Sequence, residues 1–224
     1  SFSLKHGEIL GFAGLVGAGR TEIMQTIFGS LHAGGGQVNF FGSPWKLGDC
    51  TYSIKQGLVY IPEERKRHAI FPSLSVAQNI AMPLLKRLSR LFVISRTREV
   101  KEASSVVTEY GIKTASLETE IQFLSGGNQQ KAIIGRAMRL EPKILIFDEP
   151  TKGIDVGARA EIYKIMHRLA STGVGIILVS SDLDEIMRCS NRVITVYNGR
   201  LVGGFETAAT EPKEIINSIM GVFK

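Results

Sequence analysis

One segment leaves this chain little freedom: Gly14-Leu15-Val16-Gly17-Ala18-Gly19-Arg20-Thr21. It follows a short apolar run, Ile9–Ala13, and precedes a stretch from Thr21 to about Phe28 with Ile23, Met24 and Ile27 on one face. A glycine-rich turn between a strand and a helix lets backbone N–H groups approach an anion, and the helix start favours negative charge. The pattern G-x-x-x-x-G-K-[ST] in that setting is a phosphate loop, with the hydroxyl of its last residue placed to bind Mg²⁺. A glycine turn without a ligand is the plainer alternative, and the position between strand and helix weighs against it. Arg20 stands where lysine is expected. Arginine keeps the charge but is longer, planar and more delocalised. Phosphate binding tolerates that change better than close stabilisation of a phosphoryl group in transfer does.

The rest of the chain alternates strand and helix signals, as a parallel sheet flanked by helices requires. Lys143–Phe147 and Gly175–Val179 are continuous apolar runs, the mark of strands buried on both faces. Ala158–Ala170 is amphipathic, with Ile162, Ile165, Met166 and Leu169 at helical spacing. Gln37–Phe41 and Gly57–Ile61 read as strands, the former in a small antiparallel lobe. Arg192–Tyr197 and Arg200–Phe205 flank Asn198-Gly199, a favoured hairpin turn. Pro212–Met220 reads as a terminal helix with Ile215, Ile216 and Ile219 inward. Between Phe71 and about Gln122 helical patterning replaces strands: Ser75 caps a helix that Pro83 breaks, and Thr97–Tyr110 stops at Gly111. The expected fold is therefore α/β: a P-loop (RecA-like) core with a mainly parallel sheet, a small antiparallel β lobe and an inserted helical subdomain. The expected division is one domain over 1–224, with residues 1–70 and 123–224 as core and 71–122 as the helical subdomain.

Two further motifs carry chemistry. Ile144–Phe147 runs into Asp148-Glu149-Pro150. Open parallel sheets bind ligands at the carboxyl ends of their strands. Asp148 there can hold Mg²⁺ through its water shell, and Glu149 can orient and deprotonate an attacking water. A simple acidic turn is the alternative, and it falls behind once the phosphate loop is considered. Leu124-Ser125-Gly126-Gly127-Asn128-Gln129-Gln130-Lys131 opens a helix running to about Leu140. Ser125 is a good cap, the glycines permit very close backbone approach, and the helix start is a second anion-binding feature. Alone this motif is weak; in order with the other two it is specific.

Bulk properties exclude several classes. The chain has 224 residues, of which 44% are hydrophobic, so a packed core is expected. No apolar stretch approaches the roughly 18–20 residues that span a bilayer. Cys50 and Cys189 form no C-x-x-C pair, which argues against a disulfide framework or structural zinc. The net charge of +6 is spread along the chain, and its densest run, Arg65-Lys66-Arg67, follows Glu63-Glu64. No aromatic residues interleave with it, so nucleic acid is not an expected partner. Trp45, beside Pro44, reads as packing, and the four histidines match no ligand spacing.

Taken together, these residues closely resemble the nucleotide-binding domain of ABC transporters, over essentially the whole chain. Leu124–Lys131 resembles the signature sequence, Ile144–Glu149 the Walker B strand, and Gly153-Ile154-Asp155 the D-loop. The segments Gly14–Glu22, Tyr60–Lys66 and Leu124–Lys131 are similar to the C-terminal half of the two-domain ATPases of bacterial sugar importers of the ribose/galactose/xylose/autoinducer-2 type. The resemblance implies a transport-coupled ATPase with ATP and Mg²⁺ as cofactors. It implies cofactor contacts from Gly14, Val16, Gly17, Ala18, Gly19, Arg20, Thr21, Glu22, Glu63, Ser181, Ser125, Gly126, Gly127 and Gln130. Metal ligation falls to Thr21 and Asp148, and catalysis to Glu149.

The implied partners are a second nucleotide-binding domain on the same full-length polypeptide, a transmembrane permease met through Phe71–Leu91, and, indirectly, a periplasmic sugar-binding protein. The implied location is peripheral, on the cytoplasmic face of the inner membrane. Family members carry further strands and an adenine-stacking aromatic upstream, so the N-terminal strands are expected to be missing. Glu63 occupies the place of the Q-loop glutamine and Ser181 that of the switch histidine. With Arg20, these departures imply a degenerate site on this chain's own loop, while the intact signature serves the partner's nucleotide. The alternative is a binding module that donates its signature and scarcely hydrolyses ATP.

Overall fold

The computed structural model describes residues 1–90 and 93–222; Leu91, the last residue of the expected permease-facing segment, lies outside them. The chain begins with β1 (Ile9–Ala13) and α1 (Arg20–Phe28). β2 (Asn39–Phe40) and β3 (Ser43–Pro44) form a hairpin, followed by α2 (Cys50–Gln56) and β4 (Leu58–Ile61). A π-helical turn, Arg65–Ala69, comes before α3 (Val76–Ala81) and α4 (Leu85–Leu88). β5 (Ser89–Arg90) and β6 (Val93–Ile94) make a second small hairpin, and α5 (Arg96–Glu109) and α6 (Gly126–Met138) follow. β7 (Ile144–Asp148), α7 (Val156–Ser171), β8 (Gly175–Ser180) and α8 (Leu183–Cys189) come next. β9 (Arg192–Tyr197), β10 (Arg200–Glu206) and α9 (Pro212–Ile219) complete the described chain.

The chain divides into two compact units. The first comprises residues 1–60, 143–149 and 166–224; the second comprises 61–142 and 150–165. The segment 71–122 falls in the second unit, together with the signature helix and the turn after Glu149.

The main sheet has the order β10-β9-β1-β8-β7-β4. β1 runs parallel to both β8 and β9, and β7 parallel to β8, while β10 returns antiparallel to β9. β1 and β8 are buried along their whole length. Their continuous apolar runs follow from that burial, since a strand covered on both faces has no solvent side on which to alternate. Leu10, Phe12, Met24, Ile146, Val179 and Val196 pack one core cluster of this unit. Trp45 belongs to it as well. Its indole N–H donates to the Ile27 carbonyl at 3.1 Å, which satisfies the polar atom of an otherwise apolar ring. The fold class expected from the sequence is the one observed: a mainly parallel sheet with helices and a small separate antiparallel hairpin.

Several local expectations shift. The Gln37–Phe41 strand shortens to Asn39–Phe40, because Phe41 and Gly42 turn the chain with φ 51° and 80° and Ser43–Pro44 pairs back. α2 has no strong apolar period, but Asp49 caps it by accepting from the Tyr52 N–H at 2.9 Å. The helical segment is not free of strands, since β5 and β6 lie within it. Ile216 is 40% exposed whereas Ile215 is fully buried. Successive helical residues differ by about 100° around the axis, so both cannot face inward. Residues 215, 218 and 219 share the inner face instead, with Ile219 half-buried.

In the second unit α3, α5 and α6 pack together. The Ser75 cap is a full capping box with Gln78, as the sequence suggested for the serine. α6 approaches α5 so closely that a Cβ on Gly135 would lie 2.4 Å from Val106 Cγ1 and 3.0 Å from Tyr110 Cδ2. Alanine gains about 1 kcal/mol over glycine in a helix, whereas overpacking costs about 1–3 kcal/mol. Gly135→Ala is therefore expected to lower stability by up to about 2 kcal/mol, read as a fall in the urea midpoint at unchanged m-value.

Candidate functional site

The parallel register brings three strand ends together in the first unit. Ala13 pairs with Ser180, and Val179 with Asp148, so the residues that follow β1, β8 and β7 emerge along one edge. Those residues are the glycine loop, Ser181 and Glu149. The loop turns through left-handed glycines, Gly17 at φ 81° and Gly19 at φ 96°, a region that side chains with a Cβ disfavour. Ala18 is buried, and its carbonyl accepts from the Gly199 N–H at 2.8 Å, anchoring the loop to the β9–β10 turn. Val16 is 86% exposed, so at this position and at Ala18 the backbone is the part suited to a ligand. Glu22 lies exposed in the first turn of α1.

The side chains at this edge are already engaged with one another. Thr21 Oγ1 donates to Asp148 Oδ1 at 3.1 Å, and the Tyr60 hydroxyl donates to Asp148 Oδ2 at 2.6 Å. Arg20 Nη2 pairs with Glu149 Oε1 at 3.1 Å, both side chains being under a tenth exposed. Ser181 Oγ donates to Glu149 Oε2 at 3.1 Å. Glu149 itself has φ 46°, and its N–H is fixed on the Val179 carbonyl at 2.8 Å. A left-handed conformation at a residue with a Cβ costs about 1–2 kcal/mol and persists where the surroundings over-determine it.

The donor set suits a phosphate and a hard cation. Arg20 Nη1 is buried and has no acceptor among the described residues, which fits an anionic oxygen from outside the chain. Thr21 and Asp148 offer oxygen, as Mg²⁺ prefers. Of the positions implied by the resemblance, the structure thus brings together Arg20, Thr21, Asp148, Glu149 and Ser181.

Glu63 belongs to the second unit, where its Oε1 pairs with Lys152 Nζ at 2.6 Å. Ser125 caps α6, accepting from the Asn128 N–H and, at 3.0 Å, from Asn128 Nδ2. Gln130 is only 2% exposed, so its side chain offers no surface to a ligand, whereas Asn128 in the same turn is half-buried. Sequence reasoning gives Tyr60 no part in the site and reads Arg65 only as one of a run of surface charges. Each lies in the Tyr60–Lys66 motif, but Tyr60 stands 88 residues from Asp148, and nothing in the sequence pairs them.

Residues 1–152 match the ABC transporter family model. The chain belongs to the ABC transporter family. Over 222 residues this ABC-family chain is 43% identical to the putative ribose/galactose/methyl galactoside import ATP-binding protein 1 of Agrobacterium fabrum, covering 99% of this chain and 44% of that protein. Over 206 residues it is 46% identical to the xylose import ATP-binding protein XylG of Pseudomonas syringae pv. tomato, covering 92% and 39%. It therefore spans less than half the length of these relatives. Two solved structures share its fold. A nucleotide-free ATP-binding cassette from an ABC transporter has a TM-score of 0.81 at 18% identity, covering 98% of this chain and 87% of that one. The cbiO1 protein of Clostridium perfringens has a TM-score of 0.76 at 23% identity, covering 96% and 81%.

The Arg20–Glu149 pair makes a direct prediction. Arg20→Met leaves a buried carboxylate without its counter-charge and is expected to cost about 3 kcal/mol. Adding Glu149→Gln removes that charge and should restore about half of the loss. Urea unfolding of the two single variants and the double variant gives the cycle.

Proposed function

We propose that this chain is the ATP-binding half of a sugar-import ATPase, and that the site on its own phosphate loop is degenerate. The convergence of Arg20, Thr21, Asp148, Glu149 and Ser181 on one strand edge carries the reading. The backbone of residues 14–21 cradles the phosphates, with Arg20 as their counter-charge. Thr21 and Asp148 would hold Mg²⁺, Thr21 through its hydroxyl and Asp148 through the ion's water shell. When bound there, the ion would supply charge neutralisation at the phosphoryl group in transfer. Glu149 orients water and takes its proton.

Degeneracy follows from what Glu149 touches. One of its oxygens faces Arg20 and the other faces Ser181. Both contacts hold the carboxylate in place, and Arg20 is shared between that carboxylate and the phosphate. This pairing also favours the alternative reading, a module that binds nucleotide and donates its signature while scarcely hydrolysing ATP. In either case Ser125, Gly126 and Gly127 act on nucleotide held by a second nucleotide-binding domain.

The relatives' names support a sugar as cargo, and import requires a permease in the membrane, with a solute-binding protein beyond it. The proposed place of this chain is peripheral, on the cytoplasmic face; no described helix is long and apolar enough to cross a membrane. Residues 71–122 serve as the helical subdomain within a single domain over 1–224, and Phe71–Leu91 is the segment offered to the permease.

Two measurements on the full-length protein test this. MgATP binding to this loop should weaken at least tenfold, about 1.4 kcal/mol, in Asp148→Asn; unchanged affinity and metal dependence would sink the site assignment. Arg20→Lys should release Glu149 and raise turnover at this site by about tenfold, again about 1.4 kcal/mol. No rise would place the bottleneck at Ser181 or in the partner's signature.

A further inference from the structure

The second unit contains a junction that the nucleotide-site chemistry leaves unexplained. Arg65 opens the π-helical turn Arg65–Ala69, in which the Ile70 N–H reaches back to the Arg65 carbonyl at 3.0 Å. Such turns are rare and concentrate at functional sites. The Arg65 guanidinium grips two separate segments. Nη1 donates to the Lys152 carbonyl at 2.7 Å and Nη2 to the Gly153 carbonyl at 3.0 Å, the carbonyls on either side of the Gly153 torsions. Nε donates to Gln129 Oε1 at 3.3 Å, in the first turns of α6. Gln129 is only 3% exposed, and its Nε2 donates to the Ile121 and Leu124 carbonyls, each at 3.1 Å. Its oxygen is therefore aimed at Arg65 by the chain that leads into the helix.

Steric fit points the same way. A Cβ on Gly126 would lie 2.6 Å from Arg65 Nη2 and 3.0 Å from the Gly153 carbonyl. A Cβ on Gly127 would lie 2.4 Å from the Ala158 Cβ. The close approach that two glycines at a helix start permit is thus made, at least in part, to this chain's own 152–158 segment. Glu63 pairs with the same segment through the Lys152 ammonium at 2.6 Å. Desolvation also lowers the Arg65 pKa from its ordinary value, a cost the chain bears to keep a cation there.

We propose that Arg65 is a positioning residue that locks the Lys152–Gly153 turn to the start of α6, so that Ser125, Gly126 and Gly127 are presented in fixed geometry. The inference rests on the reading that these residues act on nucleotide held by a second domain. A planar fork is needed for this, since three acceptors on two segments are met by donors in one plane; lysine supplies a single flexible ammonium.

The test uses the full-length protein with Arg65→Lys and Arg65→Met, and with Ser125→Arg as a block of the signature. Both Arg65 variants should lower kcat by about tenfold to a hundredfold while KM for ATP changes less than about threefold. Amide hydrogen exchange should quicken at residues 125–129 and 152–155 and stay unchanged in the strands of the sheet. Wild-type kcat and exchange in Arg65→Lys would overturn the proposal, because charge alone would then suffice. Exchange quickened uniformly across the protein would also overturn it, since that marks general destabilisation. If Ser125→Arg leaves turnover intact, the signature reading fails, and local exchange in the Arg65 variants still decides whether the lock exists.

Discussion

The register of β1, β8 and β7 is the constraint on which the candidate site depends. With Ala13 opposite Ser180 and Val179 opposite Asp148, three connections leave the sheet on one edge, and their first residues become neighbours although more than a hundred residues separate the first from the others. Side chains alternate along a strand, so slipping one strand by a single residue would turn Asp148 to the opposite face. The burial of these strands on both faces specifies the register, because each position has a shaped apolar environment and a slip would misplace every one of them. The chemistry of the edge therefore rests on core packing.

Within that frame, each of the two carboxylates is held by donors from the same edge. Asp148 takes Thr21 and Tyr60; Glu149 takes Arg20 and Ser181. The Arg20 substitution acquires a physical meaning here that the letter alone lacks. Arginine is long enough to lie against Glu149, and two opposite charges under low exposure attract each other more strongly than they would in bulk water. The same pairing would serve a nucleotide-loaded state only by rearranging, which connects a single residue type to an expected slow turnover. Ser181, an altered position read independently from the sequence, meets Arg20 on the same carboxylate. Glu63, read with them, does not: it is an ion-pair partner of Lys152 in the other unit.

Much of the fold was legible before any coordinates. The apolar runs at Ile9–Ala13 and Ile144–Phe147, the Asn198-Gly199 turn and the Ser75 cap each act through local physics, which a short window of sequence contains. The missed elements were those lacking a local period. α2 depends on one aspartate cap, α8 on Asp182 accepting from the Asp184 and Glu185 N–H groups, and the π-helical turn on contacts made far along the chain. Ile216 departs from expectation for a different reason: three isoleucines at 215, 216 and 219 look alike in composition, and only the packed face of α9 separates them.

The sequence by itself determined the fold class, the phosphate loop, the acidic strand end and the family, because each is written in short-range order of residue types. The tertiary structure decided which of these side chains meet. The Arg20–Glu149 pair, the Tyr60 hydrogen bond to Asp148 and the Arg65 fork all join residues more than sixty positions apart. Contacts at that separation arise from strand register and helix packing, and no local pattern encodes them. The glycines at 126 and 127 show the difference most directly: their spacing announced a close approach, and only the folded chain could show that Arg65, Gly153 and Ala158 are among what is approached.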